Sequence, residues 1–329
     1  MDLSAERRVA IDAVLHAARV CRAVQARLVE GATLAKGDQS PVTVADFGAQ
    51  AVVSHLLHQH FPVIPLVGEE DADSLRQDAH APLRAQVMIA VNEVLPGIDQ
   101  DQVMDAIDRG SYAGGPTGRH WTLDPIDGTK GFLRLEQYAI ALALIEDGQV
   151  VLGVLGCPSL PHDAADPEGP LGCLFVAVRG QGAFMRTLDD PTERPVRVSA
   201  ATDPAEVRFC ESVEKAHTNQ SDSARVAELL GITAPPFRID SQCKYAAVAR
   251  GDASIYLRLP TKPGYVERIW DHAAGVAVVT EAGGTVTDVL GQPLDFSLGR
   301  GLERNKGVVV TNGPLHDQVV AAVRQVLGV

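Results

Sequence analysis

Paired cysteines are missing from this chain. Its five cysteines (Cys21, Cys157, Cys173, Cys210 and Cys243) are odd in number, scattered, and never spaced as Cys-x-x-Cys. That argues against both a disulfide framework and a structural zinc site. Positive charge is scarce too: 29 Lys plus Arg stand against 42 Asp plus Glu, a net −13. An acidic body repels nucleic-acid phosphates and anionic lipid surfaces, so neither a nucleic-acid polymer nor a membrane is an expected partner. An uninterrupted apolar run is also lacking. The most hydrophobic stretch, Tyr138 to Cys157, is broken by Glu146-Asp147-Gly148-Gln149, a turn between two strands and not a membrane span. The first residues, Met1 to Arg8, lead into an amphipathic stretch and not an apolar signal core. The expected compartment is a reducing cytoplasm. Gly 30 and Pro 20 make up an ordinary share, which excludes collagen-like and low-complexity classes.

What is present is enough chain, 329 residues, for about two domains or lobes. Apolar residues at helical spacing (Val9, Val14, Leu15, Val20, Val24, Leu28) predict a long first helix over Ala5 to Val29. A polar loop, Gly31 to Pro41, and a second helix from about Ala45 to His60 follow. Val63 to Val67 reads as a buried strand, and Ala85 to Arg109 as two short helices around Pro96-Gly97. From Trp121 the period changes to that of strands. Tyr138 to Glu146 with Val150 to Gly156, and Gly172 to Arg179 with Gly182 to Arg186, read as hairpins of an antiparallel sheet. Strands and helices alternate beyond Pro204, down to a last strand at Val308 to Thr311 and a last helix over Pro314 to Leu327. The expectation is an α+β lobe over 1–203 and an α/β lobe over 204–329.

Three separated tracts put acids where strands end: Gly68-Glu69-Glu70; Asp124-Pro125-Ile126-Asp127-Gly128-Thr129; and Trp270-Asp271. Asp46 is a fourth candidate. Taken singly, each tract is ordinary turn or helix-cap chemistry. Together they describe a cage. Pro125 bends the chain so that Asp124 and Asp127 come round one point, and it frees the Ile126 carbonyl to face that point. Carboxylate and carbonyl oxygens suit a hard cation such as Mg²⁺ better than zinc. Without a cation the acids would raise one another's pKa. With two, an acidic protein gains the positive centre that an anionic substrate needs.

The tract Trp121 to Arg134, with Gly68-Glu69-Glu70 upstream and Trp270-Asp271-His272-Ala273-Ala274-Gly275 downstream, resembles the magnesium-dependent, lithium-sensitive phosphatase superfamily that includes inositol monophosphatase. The resemblance implies a layered α/β/α/β/α sandwich, and two to three Mg²⁺ ions. Glu69, Asp124 and the Ile126 carbonyl would hold one ion, Asp124, Asp127 and Asp271 a second, and Glu69 with water a third. Asp46 and Thr129 would orient and deprotonate the attacking water.

Longer tracts resemble the 3'(2'),5'-bisphosphate nucleotidase branch: Ser40 to Gln50, Lys130 to Arg134, Glu211 to His217, Asp240 to Tyr245, and Tyr256 to Pro260. That branch removes the 3'-phosphate of 3'-phosphoadenosine 5'-phosphate, and many members act on the sulfated nucleotide. Asp127, Gly128, Thr129, His217, Ser241, Lys244, Arg258 and Asp271 are therefore the candidate substrate contacts. The residues themselves support a second anion site. Ser241 can cap a helix starting near Gln242, leaving free N–H groups there. Lys244 in the first turn opposes the helix dipole, which a bound anion would explain; the alternative is a solvated helix face. An inositol phosphate phosphatase and a catalytically silent nucleotide sensor are the competing functions, with a monomer or homodimer as the expected assembly. Leu135 departs from the pattern, standing where many relatives carry Gly. His55, His58 and His60 read as exposed residues at a helix end, and Gly110 to Gly118 as a loop near the site and not a phosphate-binding loop.

Overall fold

The computed structural model describes residues 2–30, 40–213, 220–260, 262 and 264–329. Helix α1 (Ser4–Glu30) packs against α2 (Ser40–His60). The second helix begins five residues before the expected Ala45. Pro41 lies in its first turn, where the missing N–H has no intrahelical partner to lose. Residues 31–39 of the expected loop lie outside the described residues. The two short helices follow as α3 (Ala81–Asn92) and α4 (Gln100–Asp108), the latter opened by a reciprocal Asp99–Gln102 capping box.

Seven strands form the first sheet in sequence order: β1 (Leu66–Gly68), β2 (Arg119–Asp127), β3 (Ala139–Glu146), β4 (Gln149–Pro161), β5 (Leu171–Val178), β6 (Gly182–Thr187) and β7 (Arg194–Val196). The expected wholly antiparallel sheet needs one correction, because β1 pairs parallel to β2. The helices α3 and α4 supply the long crossover that a parallel pair requires. A short helix, α5 (Thr129–Leu133), follows β2 directly.

Strand β3 explains the layering. Its sequence alternates small with large, so Ile140, Leu142 and Leu144 enter one core with α1 and α2. Ala139, Ala141 and Ala143 face the opposite core, with helices α7 (Cys243–Arg250) and α8 (Ala273–Glu281). Both faces of this sheet are covered, and the alanines let a helix layer lie close to it.

Beyond that layer lies a five-stranded sheet in the order β11-β12-β10-β8-β9. Its strands are β8 (Phe209–Glu211), β9 (Phe237–Arg238), β10 (Ile255–Arg258), β11 (Thr285–Thr287) and β12 (Val308–Thr311). Tyr256, Val308 and Val310 face α7 and α8, whereas Ile255, Leu257 and Val309 face α6 (Gln220–Leu230) and α9 (His316–Leu327). The result is the α/β/α/β/α sandwich. The boundary expected at 203/204 falls in the connection between the two sheets. Strands β7 and β11, three residues each, carry too few alternations to be legible in the sequence. Among the described residues, no helix is long and apolar enough to cross a membrane.

Leu135 adopts φ 61, the left-handed region, just past α5. Its side chain is half exposed, so little burial repays that conformation. The position suits glycine, for which left-handed backbone carries no Cβ penalty. Leu135→Gly is expected to leave stability unchanged or raise it by up to about 1 kcal/mol in urea unfolding; a loss larger than that would contradict the strain.

Candidate active site

The acidic end of the cleft is assembled by three backbone features. Strand β2 pairs Asp124 with Ala141 and Asp127 with Ala139, so one extra residue bulges on β2 around Pro125. Proline has no N–H to give a ladder, and the bulge re-aims the strand end. Strand β1, parallel to β2, delivers Glu69 beside it. Buried Gln50 on α2 clamps this segment: its amide accepts from the Glu70 N–H (3.1 Å) and donates to the Glu70 carbonyl (2.6 Å) and the Ile107 carbonyl (3.0 Å). Asp271 arrives from the turn of 3₁₀ helix Ile269–Asp271, immediately before α8.

These residues line one cleft of about 270 Å³, together with Ile126, Gly128, Thr129, Asp240, Ser241, Gln242, Lys244, Tyr256, Arg258 and Tyr265. Its electrostatics are unfavourable in a consistent way. Burial, then the charges of Glu69, Asp127, Asp271 and Asp46, raise the Asp124 carboxyl well above the usual range. Glu69 opens to solvent at the cleft mouth. Even so, the protein packed around its other sides, then Asp271 and Glu70, push it up to about 8. Asp271 is pushed up to about 6, chiefly by burial, with Asp127 adding to the rise while Arg258 and His272 oppose it. Asp124 Oδ1 is buried and has no hydrogen-bond partner among the described residues. Crowded acids with an orphaned oxygen are the donor set of a hard divalent cation.

A second group, Glu267, Asp271 and His272, also brings its ligand atoms close together. A cation already sits there. Arg258 Nε donates to Glu267 at 2.8 Å, and its terminal nitrogen lies 3.4 Å from Asp271. Burial alone would raise the Glu267 carboxyl, but His272 and Arg258 together hold it down to about 2. This trio is an ion-pair network satisfied by protein.

The same cleft also carries cations. Lys244 on α7 is only 4% exposed, which removes the solvated-face reading. Its Nζ lies 5.1 Å from the centre of the Tyr256 ring. Burial lowers its pKa, opposed by Asp127, Cys210 and Asp240. The expected bare helix N-terminus, however, is not there. Helix α7 starts at Cys243, and its first amides are taken: Gln242 N–H by Asp127 (2.5 Å), Cys243 N–H by Ser241 Oγ (3.2 Å), Lys244 N–H by the Ser241 carbonyl (3.2 Å). Side chains, and not free backbone amides, supply the positive charge. Ser241 itself stands at φ 64, and Gly128 lets it approach, since a Cβ on Gly128 would lie 2.8 Å from Ser241 Cβ.

The inositol monophosphatase family matches residues 2–327. The chain belongs to that family. It is 45% identical over 343 residues to the 3'(2'),5'-bisphosphate nucleotidase of Schizosaccharomyces pombe (strain 972 / ATCC 24843), covering 99% of this chain and 97% of that protein. It is 47% identical over 326 residues to the 3'(2'),5'-bisphosphate nucleotidase 1 of Arabidopsis thaliana, covering 94% and 92%. Among solved structures, the inositol monophosphatase from Anabaena (Nostoc) sp. PCC 7120 shares the fold, with TM-score 0.63 at 23% identity over 99% of this chain and 97% of that one.

Within this family member, Glu69, Asp124, Ile126, Asp127, Gly128, Thr129, Ser241, Lys244, Arg258 and Asp271 all line the cleft. Asp46 falls within the helix expected from about Ala45, and not at a strand end with the other acids. It lies inside α2, 7% exposed, because helix packing against the sheet brings it up behind the acids. It is not among the cleft-lining residues, yet burial and then Glu70 and Glu69 raise its pKa well above normal. His217 lies outside the described residues. The glycine-rich loop 110–118 packs behind β1, through a Val67–Ser111 bridge, and does not line the cleft.

Sequence reading missed three supporting residues. Gln50 fixes the Glu69 segment, Glu267 holds Arg258, and Asp240 accepts from the Val213 N–H (3.0 Å) and from Arg134. Gln50 and Asp240 stood inside the quoted tracts, so their presence there was the available signal.

The raised carboxyls fix a pH dependence. Unfolded acids titrate at about 4, so between about pH 4 and about pH 8 the unfolded chain has lost protons that the folded one retains. Stability of chelator-treated protein is therefore expected to fall as pH rises across that window, and Mg²⁺ to restore it. Asp124→Asn should flatten both responses in melting curves. A chelated wild type that gains stability over the same range would refute the repulsion.

Proposed function

We propose that this chain is a Mg²⁺-dependent phosphomonoesterase that removes the 3'-phosphate of 3'-phosphoadenosine 5'-phosphate, leaving AMP, and that it also accepts the sulfated nucleotide. The observation that carries this reading is a single cleft lined both by repelling carboxylates and by side-chain cations, buried Lys244 and Arg258, the latter 3.4 Å from Asp271. A substrate with two separated anionic groups meets both: one through a divalent cation, the other through side-chain cations. The names of the relatives in fission yeast and Arabidopsis support the same substrate.

In this reading Glu69, Asp124 and the Ile126 carbonyl hold one ion, and Asp124, Asp127 and Asp271 a second; a third at Glu69 is the weakest. Bound Mg²⁺ supplies Lewis acidity toward the ester and toward water. Thr129, at the start of α5 and on the cleft wall, orients the water. Asp46, buried on α2, has its proton affinity raised by burial and by Glu70 and Glu69, the direction a general base needs. Lys244 holds the second phosphate, with Tyr256 fixing its ammonium from below. Arg258, beside Asp271, adds charge to the same cleft while Glu267 sets its direction. The five buried, unpaired thiols fit a reducing cytoplasm.

A panel of phosphate esters, assayed for free phosphate with and without Mg²⁺, tests the proposal. The bisphosphorylated nucleotide should be the preferred substrate, and Asp124→Asn should lower kcat by about 10³-fold. Lys244→Met should lower kcat/KM by roughly 10–100-fold, mainly through KM. Equal turnover of inositol phosphates would move the assignment to that substrate class, and tight nucleotide binding without phosphate release would make the protein a sensor.

A further inference from the structure

Arg300 plays no part in the reading above, and its surroundings are unusual. Its guanidinium donates to three backbone carbonyls: Gly68 (2.6 Å), Gly110 (3.1 Å) and Tyr112 (3.2 Å). The group also lies over the indole of Trp270, 4.8 Å from the ring centre. Among the described residues, no carboxylate lies within ion-pair distance of it, although Asp71 and Glu69 are near enough to raise its pKa against the effect of burial. A partly buried cation given to neutral carbonyls, beside an acidic cleft, has a geometric use.

The contacts identify that use. Gly68 is bonded directly to Glu69, and Trp270 directly to Asp271. The Arg300 main chain also registers the second of these segments: its carbonyl accepts from the Ile269 N–H at 3.2 Å, and Gly301 bridges to Arg268. One residue thus touches the residue before each of two acids that are 202 positions apart in the chain, Gly68 through its carbonyl and Trp270 through its ring. The glycine-rich loop completes the joint. The Gly110 carbonyl accepts from the Gly68 N–H (2.8 Å), and Gly114, at φ +74, lies so close to Gly299 that a Cβ there would stand 3.0 Å from the Gly299 backbone.

We infer that Arg300 is a positioning residue for the metal centre, locking the Glu69 strand end to the Asp271 turn across the two halves of the chain. The inference rests on the proposed roles of Glu69 and Asp271 as metal ligands. Because the guanidinium grips carbonyls and not carboxylates, it fixes the acids' spacing without neutralising them. A planar fork is required: one terminal nitrogen serves Gly110 and Tyr112, the other Gly68, while the plane lies over Trp270, whereas the three donors of a lysine radiate from a single point with no plane to stack.

The test is Mg²⁺ binding to substrate-free protein by calorimetry, beside Mg²⁺ titrations of activity. Arg300→Met is expected to weaken Mg²⁺ binding by roughly 10–100-fold and to shift the activity titration equally. At saturating Mg²⁺, KM for the nucleotide should stay unchanged, which a general loss of structure would not spare. Arg300→Lys should recover part of the affinity. Gly114→Ala, which pushes the loop from Gly299 and leaves the guanidinium in place, should shift Mg²⁺ binding in the same direction, and it serves should Arg300→Met fail to fold. Wild-type affinity in whichever of these folds overturns the inference alone. A wild type that binds no Mg²⁺ overturns the metal reading and the inference together.

Discussion

Mutual repulsion among Glu69, Asp124, Asp127 and Asp271 is the constraint around which this molecule is organised. Three separate segments set these acids, β2 supplying two of them, and folding brings their charges together in a partly water-excluded cleft. Such an arrangement disfavours the folded chain at neutral pH unless a cation joins it. Groups selected for stability alone would not converge in this way. In the proposed function the destabilised acids are the functional core, and much of the surrounding structure holds them in place.

That support is distributed. The bulge at Pro125 re-aims the end of β2, Gln50 grips the segment after β1 from helix α2, and α8 lies behind Asp271. Small side chains on β3 let the central helix layer approach the first sheet, so that α7 and α8 can serve both halves of the cleft at once. Asp127 ties the halves more directly: a carboxylate from the first sheet accepts the amide that precedes α7. Packing and chemistry here are the same set of contacts viewed at two scales.

An acidic protein handling a polyanion must create positive charge locally. Lys244 is the clearest case, buried against an aromatic ring, its pKa lowered by desolvation while Asp127, Cys210 and Asp240 oppose that fall. Arg258 is restrained by Glu267, which keeps it from closing fully on Asp271. The cleft therefore carries both signs of charge within one small volume.

Much of this was legible before any coordinates. Apolar periodicity located the long helices and hairpins, and residue types around Asp124 and Asp271 indicated a hard-cation site, because oxygen donors and a proline bend are local properties of the sequence. Tertiary structure alone decided the rest. It set the parallel pairing of β1, brought the helix of Asp46 up behind the acids, and buried Lys244. It also filled the α7 amides with Asp127 and Ser241 and gave Gln50, Glu267 and Arg300 their tasks. These outcomes depend on contacts between residues tens to hundreds of positions apart, and local pattern carries no information about which distant group will satisfy a given donor or charge.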